Sequence, residues 1–498
     1  MNRIKLFTLL LFFMFSHVVI SSAQNTDLPQ VSFKAHLARS AKLAKHVEYL
    51  VEQEQANKLE NAKLKIQETI GDNKLFFNEA TAKIYSDRDF HALWQDKKAE
   101  QQFIKEYTLL AVSGVSDQSA KALQQILNQP AGLVREILLT DSFLDYLYYS
   151  QNVAKNANQW LYNLGSYHPT LPADDLIEQW VAVINNNKLA EFVQKWVPTN
   201  HLYQQTKKKI FELAKAQQAK AGNNKTNTAK KTVSEKANNL TLFYKLALNL
   251  QRLRIIPTFS NGIFVNIPSY QLFYFRDNQL VLQSKVIVGR NDRRTPVMYS
   301  KLSDIVVNPP WYVPTSIFTK DLIPKLAKDP SYAERSSLEI IDRSGNKISA
   351  ESVDWSEYLN AQTVPFRVRQ KAGEDSALGR FKFNMPSSDA IYLHDTPHRS
   401  LFANKNRALS SGCVRVERSD DLATILLTEA GWSAEKKQNV LASQKTVSAP
   451  ILSDNPVYLY YVTAWVEKGK IYTLPDIYQY DVSLPNTEID WAKLINVI

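Results

Sequence analysis

The sequence predicts an α+β chain in two parts, helical to residue 255 and mainly β from 256 to 498. Three observations carry this. Residues 1–255 hold 5 Pro and 5 Gly, against 15 Pro and 8 Gly in 256–498. Proline breaks helix interiors and punctuates strands and turns, so the first part favours helices and the second strands. The apolar period also changes, from helical spacing before residue 255 to strand-like alternation after it. Finally, a chain of 498 residues exceeds what one hydrophobic core usually organises, so more than one domain is expected.

Taken in order, residues 1–23 read as a secretory signal. Arg3 and Lys5 precede an apolar stretch from Leu6 to Ile20, and small residues surround Ala23. The stretch is short and interrupted by Ser16 and His17, which disfavours a retained span. No later stretch is apolar enough to cross a bilayer, so the mature chain is expected to be exported and not an integral membrane protein. The helical part is 24–255. "FKAHLARSAKLAKHVEYLVEQEQANKLENAKLKIQETI", "PAGLVREILLTDSFLDYLYYSQNVAKNANQWLYNL" and "ADDLIEQWVAVINNNKLAEFVQKWV" have helix formers and apolar residues at helical spacing. Their Trp and Tyr residues are expected in the helix-packing core. Residues 216–239, "AQQAKAGNNKTNTAKKTVSEKANN", hold Val233 as the sole apolar residue larger than alanine, which predicts a flexible polar linker. "LTLFYKLALNLQRLR" then predicts a buried helix joining the two parts.

Beyond it, "GIFVNIPSYQLFYFRDNQLVLQSKVIVG" predicts a strand and a hairpin turning at Asp277-Asn278. "DIVVNPPWYVP" and "PVYLYYVTAWV" continue the strand signal. Residues 315–360 interrupt it with a helical-looking, polar excursion, the length of a lid over a site.

The charge of +11 is moderately basic. In an exported chain this points to anionic wall polymers or membrane surfaces ahead of nucleic acid, and no nucleic-acid partner is expected. Cys413 is the only cysteine. It cannot form an internal disulfide, so it is a bridge to another chain, a silent buried residue or a reactive thiol. Its surroundings favour the last. His394, in "AIYLHDTPHRS", lies nineteen residues upstream, where a strand, a loop and a return strand would bring imidazole and thiol together. His398 lies beyond Pro397 and is the weaker candidate. No His/Cys/carboxylate cluster has ligand spacing, so neither a metal nor a cofactor is expected.

"YLHDTPHRSLFANKNRALSSGCVRVE" resembles the catalytic signature of the L,D-transpeptidases, the family with the YkuD-type fold, and is most like its large periplasmic branch. The likeness continues through "FVNIPSYQLFYF", "VIVGRNDRRTPV", "VVNPPWYVPTSI", "SALGRFKF", "VYLYYVTAWV" and "LPDIYQYD". It implies an α-helical scaffold followed by a mainly-β YkuD-like catalytic domain with a capping insertion, in the periplasm. It further implies peptidoglycan stem peptides as donor and acceptor, with other cell-wall enzymes as further partners. The expected activity is 3→3 cross-linking through a Cys413 thioester, with His394 as general base and acid. Water or a protein amine as acceptor would make a carboxypeptidase or a protein-to-wall ligase, and an inert thiol would leave a wall-binding scaffold. Two departures stand out. Ser411 replaces the second histidine of the general motif, and no wall-binding module is recognisable in the helical part.

Around the pair, the amides of Gly412 and Cys413 are expected oxyanion donors. Tyr392, or else a backbone carbonyl, is expected to orient the imidazole. Asp395 should point to the other strand face. Arg415, on the face of Cys413, is expected to fork a stem carboxylate, its alternative being an ion pair with Glu417 or Asp420. Ser411 and Trp311 complete the expected substrate contacts, Trp311 as a wall of the cleft.

Overall fold

The computed structural model describes residues 30–223, 229–481 and 490–497; the expected signal at 1–23 lies outside them. The first part is helical, including Gln30–Ile70, Lys97–Ala111, Asp117–Asn128, Leu133–Asn152 and Asp174–Asn185. Local chemistry sets the boundaries. Asp96 accepts from the amides of Lys98 and Ala99, and Ser116 from that of Ser119, each satisfying orphan donors of a first turn. Trp94, Phe103, Phe143 and Trp180 are buried together, with the Trp94–Phe143 and Phe143–Trp180 centroids 5.2 and 5.1 Å apart. They form the expected aromatic core.

Buried carboxylates tie these helices. Glu106 accepts from Tyr203 Oη at 2.5 Å and Arg254 Nη2 at 2.8 Å, and pairs with Lys207. Asp141 accepts from the amides of Phe76 and Phe77, both at 2.8 Å, and so starts the helix Asn78–Ser86. Among the described residues no cation offsets its burial, which pushes its carboxyl up to about 7. The folded chain therefore holds the proton more tightly than the unfolded one. Asp141 contributes stability that is present below pH 3.8 and lost as pH rises through about 7. Thermal melts between pH 5 and 8 should show this decline in the wild type and a flatter profile in Asp141→Asn.

The flexible linker expected at 216–239 is corrected by helices His201–Asn223 and Ala229–Arg254, which pack against each other; residues 224–228 lie outside the described ones. Ala, Lys, Gln and Glu are strong helix formers, so a segment without large apolar residues still extends both helices of a hairpin. Its C-terminal half is the joining helix anticipated above, with Phe243, Leu246, Leu250 and Leu253 buried.

The strands are β1 (Gly262–Asn266), β2 (Gln271–Arg276), β3 (Gln279–Gly289), β4 (Met298–Lys301), β5 (Asp304–Val307) and β6 (Trp311–Tyr312). Next come β7 (Leu338–Ile341), β8 (Lys347–Ile348), β9 (Arg367–Gln370), β10 (Phe381–Asn384), β11 (Leu393–His394) and β12 (Ala408–Ser410). The last are β13 (Val414–Val416), β14 (Val447–Pro450), β15 (Pro456–Tyr460), β16 (Ala464–Glu467) and β17 (Lys470–Thr473). Among the described residues the main sheet runs β14-β5-β10-β11-β13-β3-β2-β1-β15-β4, with β12 beside β3. Asp277 and Asn278 take φ of 48° and 64°, the left-handed pair that a tight β2–β3 hairpin needs.

The excursion expected at 315–360 folds as a small unit with its own sheet, β6-β9-β7-β8, and its own cluster around Phe318, Ile323, Leu326 and Trp355. It extends beyond those bounds because β6 and β9 pair at its base, Trp311 opposite Gln370.

The two parts interlock. Phe264, Tyr460, Val462, Ala464 and Val466 join the core of the helical part. Asn249 bonds Thr463 twice, side chain to side chain at 2.9 Å and to its amide at 2.7 Å. The fully buried Arg252 reaches Asp481 at 2.5 Å. Among the described residues no helix is long and apolar enough to cross a membrane.

Candidate active site

The site is built on β10, β11 and β13. β11 pairs parallel with β13 and antiparallel with β10, placing Lys382, His394 and Arg415 in one row across the sheet. Side chains two residues apart share a strand face, so Tyr392 and Cys413 stand on that same face, one step back. Leu393 and Val414 fill the opposite face and are fully buried, which holds the register.

His394 is 5% exposed, and its Nδ1 donates to the Asp395 carbonyl at 2.5 Å. That bond leaves Nε2 as the free acceptor nitrogen. Burial, reinforced by the Arg415 and Lys382 cations, pushes the imidazole down to about 3 against the pull of the carbonyl. It is held neutral at ordinary pH. Cys413 is half-buried, its Sγ 3.8 Å from the Ala390 carbonyl. Burial raises the thiol, and Tyr392, Lys382 and Arg415 each draw it back down. Thiol and imidazole share a face without a direct hydrogen bond in this state.

Several expectations are refined by the geometry. The carbonyl, not Tyr392, orients the imidazole through a hydrogen bond; Tyr392 packs edge-on to the ring with centroids 5.7 Å apart. The Tyr392 hydroxyl instead faces Cys413 and Trp311, and burial raises it far above the usual phenol range. Trp311, half-exposed in β6 at the base of the small unit, therefore borders the site and stays out of the core. Asp395 turns away as expected, accepting from Ser419 Oγ at 2.7 Å and the Arg380 amide at 2.9 Å.

Gly412 takes φ +120°, and a Cβ there would sit 3.1 Å from Ile391 Cδ1. Its N–H is not available as an oxyanion donor, which corrects that expectation. It donates to Ser410 Oγ at 3.1 Å, while its carbonyl accepts from Thr295 Oγ1 at 2.6 Å. The turn that presents the thiol uses the glycine's polar groups to hold itself closed.

Arg415 makes no ion pair among the described residues: Glu417 pairs with Lys285 and Asp420 with Lys437. Its Nε is buried and unpartnered. Ser411 accepts from Arg293 Nη1 at 3.2 Å, and Arg293 Nη2 also reaches Asp321 of the small unit at 2.8 Å. His398 is exposed and off the face.

Arg293 and Lys382 are functional candidates that sequence reasoning missed. Arg293 is one of three arginines in "GRNDRR". Lys382 alternates with the buried Phe381 and Phe383, a pattern that does signal a lysine on the face opposite them.

A thiol directly before β13, on the face of a neutral, carbonyl-oriented imidazole in a mainly-β domain joined to a helical one, fits the enzyme class that the family comparisons support, the transpeptidases. A family model described as the L,D-transpeptidase catalytic domain matches residues 260–435, and one described as a scaffold domain matches 79–210. A Haemophilus influenzae protein named provisionally as an L,D-transpeptidase is 47% identical over 496 residues, 98% of this chain and 97% of that one. The chain belongs to the L,D-transpeptidase family, with a YkuD-type catalytic domain.

Proposed function

We propose that the chain cross-links peptidoglycan stem peptides by 3→3 transpeptidation, as an exported protein of the periplasm. His394 Nε2 takes the Cys413 proton, and the sulfur attacks the carbonyl of the third stem residue, a diamino acid. The tetrahedral intermediate collapses as His394⁺ returns that proton to the departing D-alanine amine, leaving a thioester on Cys413. The side-chain amine of a second stem then attacks the thioester carbonyl. A new amide forms, the C–S bond breaks, and the amine's proton returns to sulfur through His394. No nucleotide is consumed, because the thioester conserves the energy of the amide it replaced.

The Cys413 amide takes the oxyanion role that Gly412 cannot. The unpartnered Arg415 Nε supports a carboxylate-binding role for that residue, since a buried guanidinium without an acceptor is costly until an anion supplies one. The small unit carrying Trp311 shields the thioester from water, its position tied to the nucleophile turn by Arg293.

The observation that carries this reading is that Cys413, directly before β13, shares a face with His394 on β11, with Nδ1 already committed and Nε2 free. Incubation with disaccharide tetrapeptides, followed by mass spectrometry, is expected to yield 3→3 dimers and free D-alanine. Cys413→Ala should yield neither, and should lose the mass increment that a carbapenem adds to the wild type. Tripeptide alone would indicate water as acceptor. Dimers from Cys413→Ala would overturn the thioester route.

A further inference from the structure

We infer that Lys382 is a positioning residue of this site: its ammonium, laid over Tyr392, holds the tyrosine hydroxyl against Cys413 and supplies the positive potential that favours the thiolate. The inference rests on the reading of Cys413 as nucleophile and assigns it a residue outside the recognised cysteine and histidine motifs.

Geometry leaves Lys382 little choice of direction. Phe381 and Phe383 anchor β10 in the core at 1% and 0% exposure, so Lys382 between them faces the site. It stands directly opposite His394 in the antiparallel register. Its Nζ lies 4.3 Å from the centroid of the Tyr392 ring, a cation–π contact that fixes both side chains.

The charges around it are as telling. Asp304, on β5, is a carboxylate that Lys382 feels, yet it spends its oxygens on Ser303, Asn384 and Ser448 and makes no ion pair with the lysine. Lys382 and Arg415 thus flank the thiol on β10 and β13 as two cations unpaired among the described residues, with His394 on β11, and Tyr392 just before it, between them. A buried cation without a counter-ion is disfavoured, and burial does pull the Lys382 ammonium down. Cys413, and after it Asp304, oppose that pull. A thiolate on Cys413 would therefore relieve the lysine, and by reciprocity the lysine stabilises the thiolate. Burial first, and then the Arg415 and Lys382 cations, keep His394 uncharged.

The test uses the full chain, where Cys413 as sole cysteine makes alkylation site-specific. Iodoacetamide modification is followed by intact mass from pH 5 to 10 in wild type, Lys382→Met and Lys382→Arg, with folding checked by thermal melts. Lys382→Met is expected to raise the midpoint of the alkylation profile by about one pH unit, about tenfold slower reaction at neutral pH. Lys382→Arg should restore the wild-type midpoint. Lys382→Gln gives the same readout should methionine impair folding. A Lys382→Met profile that superimposes on the wild type overturns the inference alone, as does an arginine variant shifted as far as methionine. A wild-type thiol that stays unreactive throughout overturns the nucleophile reading and the inference with it.

Discussion

Replacing His394 with glutamine is expected to slow thioester formation by about 10²–10⁴-fold, the usual contribution of a positioned general base. The loss should fall on the acylation rate more than on donor affinity, because the imidazole meets only the proton in transit. The wild-type profile should be unusual as well. An ordinary histidine base fails below about pH 6.5, but burial and the two neighbouring cations hold His394 neutral down to about 3. The acid limb near 6.5 should be missing, leaving a rise governed by ionisation of the thiol. Stability carries the complementary sign. The unfolded chain protonates this histidine below its ordinary value of 6.5 and the folded chain does not. Stability on this account is complete above pH 6.5 and declines as pH falls toward 3. His394→Gln removes that slope. Stopped-flow acylation and pH-dependent melts of both proteins check the two halves of the prediction, and an acid limb at 6.5 in the wild type would contradict the neutral base.

The largest stability effect is expected far from the thiol, at Glu106. Its carboxylate is fully buried against Arg254 and Lys207. Glu106→Gln leaves Arg254, itself buried, facing a neutral amide, and such an uncompensated buried charge costs about 3–5 kcal/mol. Urea denaturation followed by far-ultraviolet circular dichroism should show the helical signal lost at markedly lower denaturant. Burial alone would raise the Glu106 carboxyl, but Arg254 and Lys207 outweigh it and hold it below its ordinary value of 4.5. Its contribution is therefore present above pH 4.5 and lost as pH falls through its lowered midpoint. The variant should be less acid-sensitive than the wild type while being weaker at neutral pH.

How far the letters of the chain reveal all this depends on how local the cause is. Proline placement and the Asp277-Asn278 turn are decided by backbone dihedrals within a few residues, and both are readable. The proposed pairing of Cys413 with His394 also starts from the sequence, because a solitary thiol near a histidine in strand-like sequence offers few other readings. The helical residues of 216–223 and 229–239 are hidden in the sequence because their polarity points to a linker while their propensity favours helix. The Gly412 amide was misjudged because its acceptor, Ser410 Oγ, depends on a turn geometry no pattern encodes. Arg293 and Asp321 are twenty-eight residues apart and meet only once the small unit has folded. Lys382 was visible as a break in an apolar alternation, yet its company on the face follows from strand order, which is a property of the whole sheet.

The interlocking of the two parts bears on how the protein is made. The helical core is completed by Val462, Ala464 and Val466, and Asn249 waits for Thr463, 214 positions later. At a ribosomal pace of about 5–20 residues per second, the helices emerge about 10–40 s before the residues that seal them. During that interval their apolar flank is uncovered and open to aggregation. Truncation near the carboxyl end should harm the helices first synthesised as much as the strands removed.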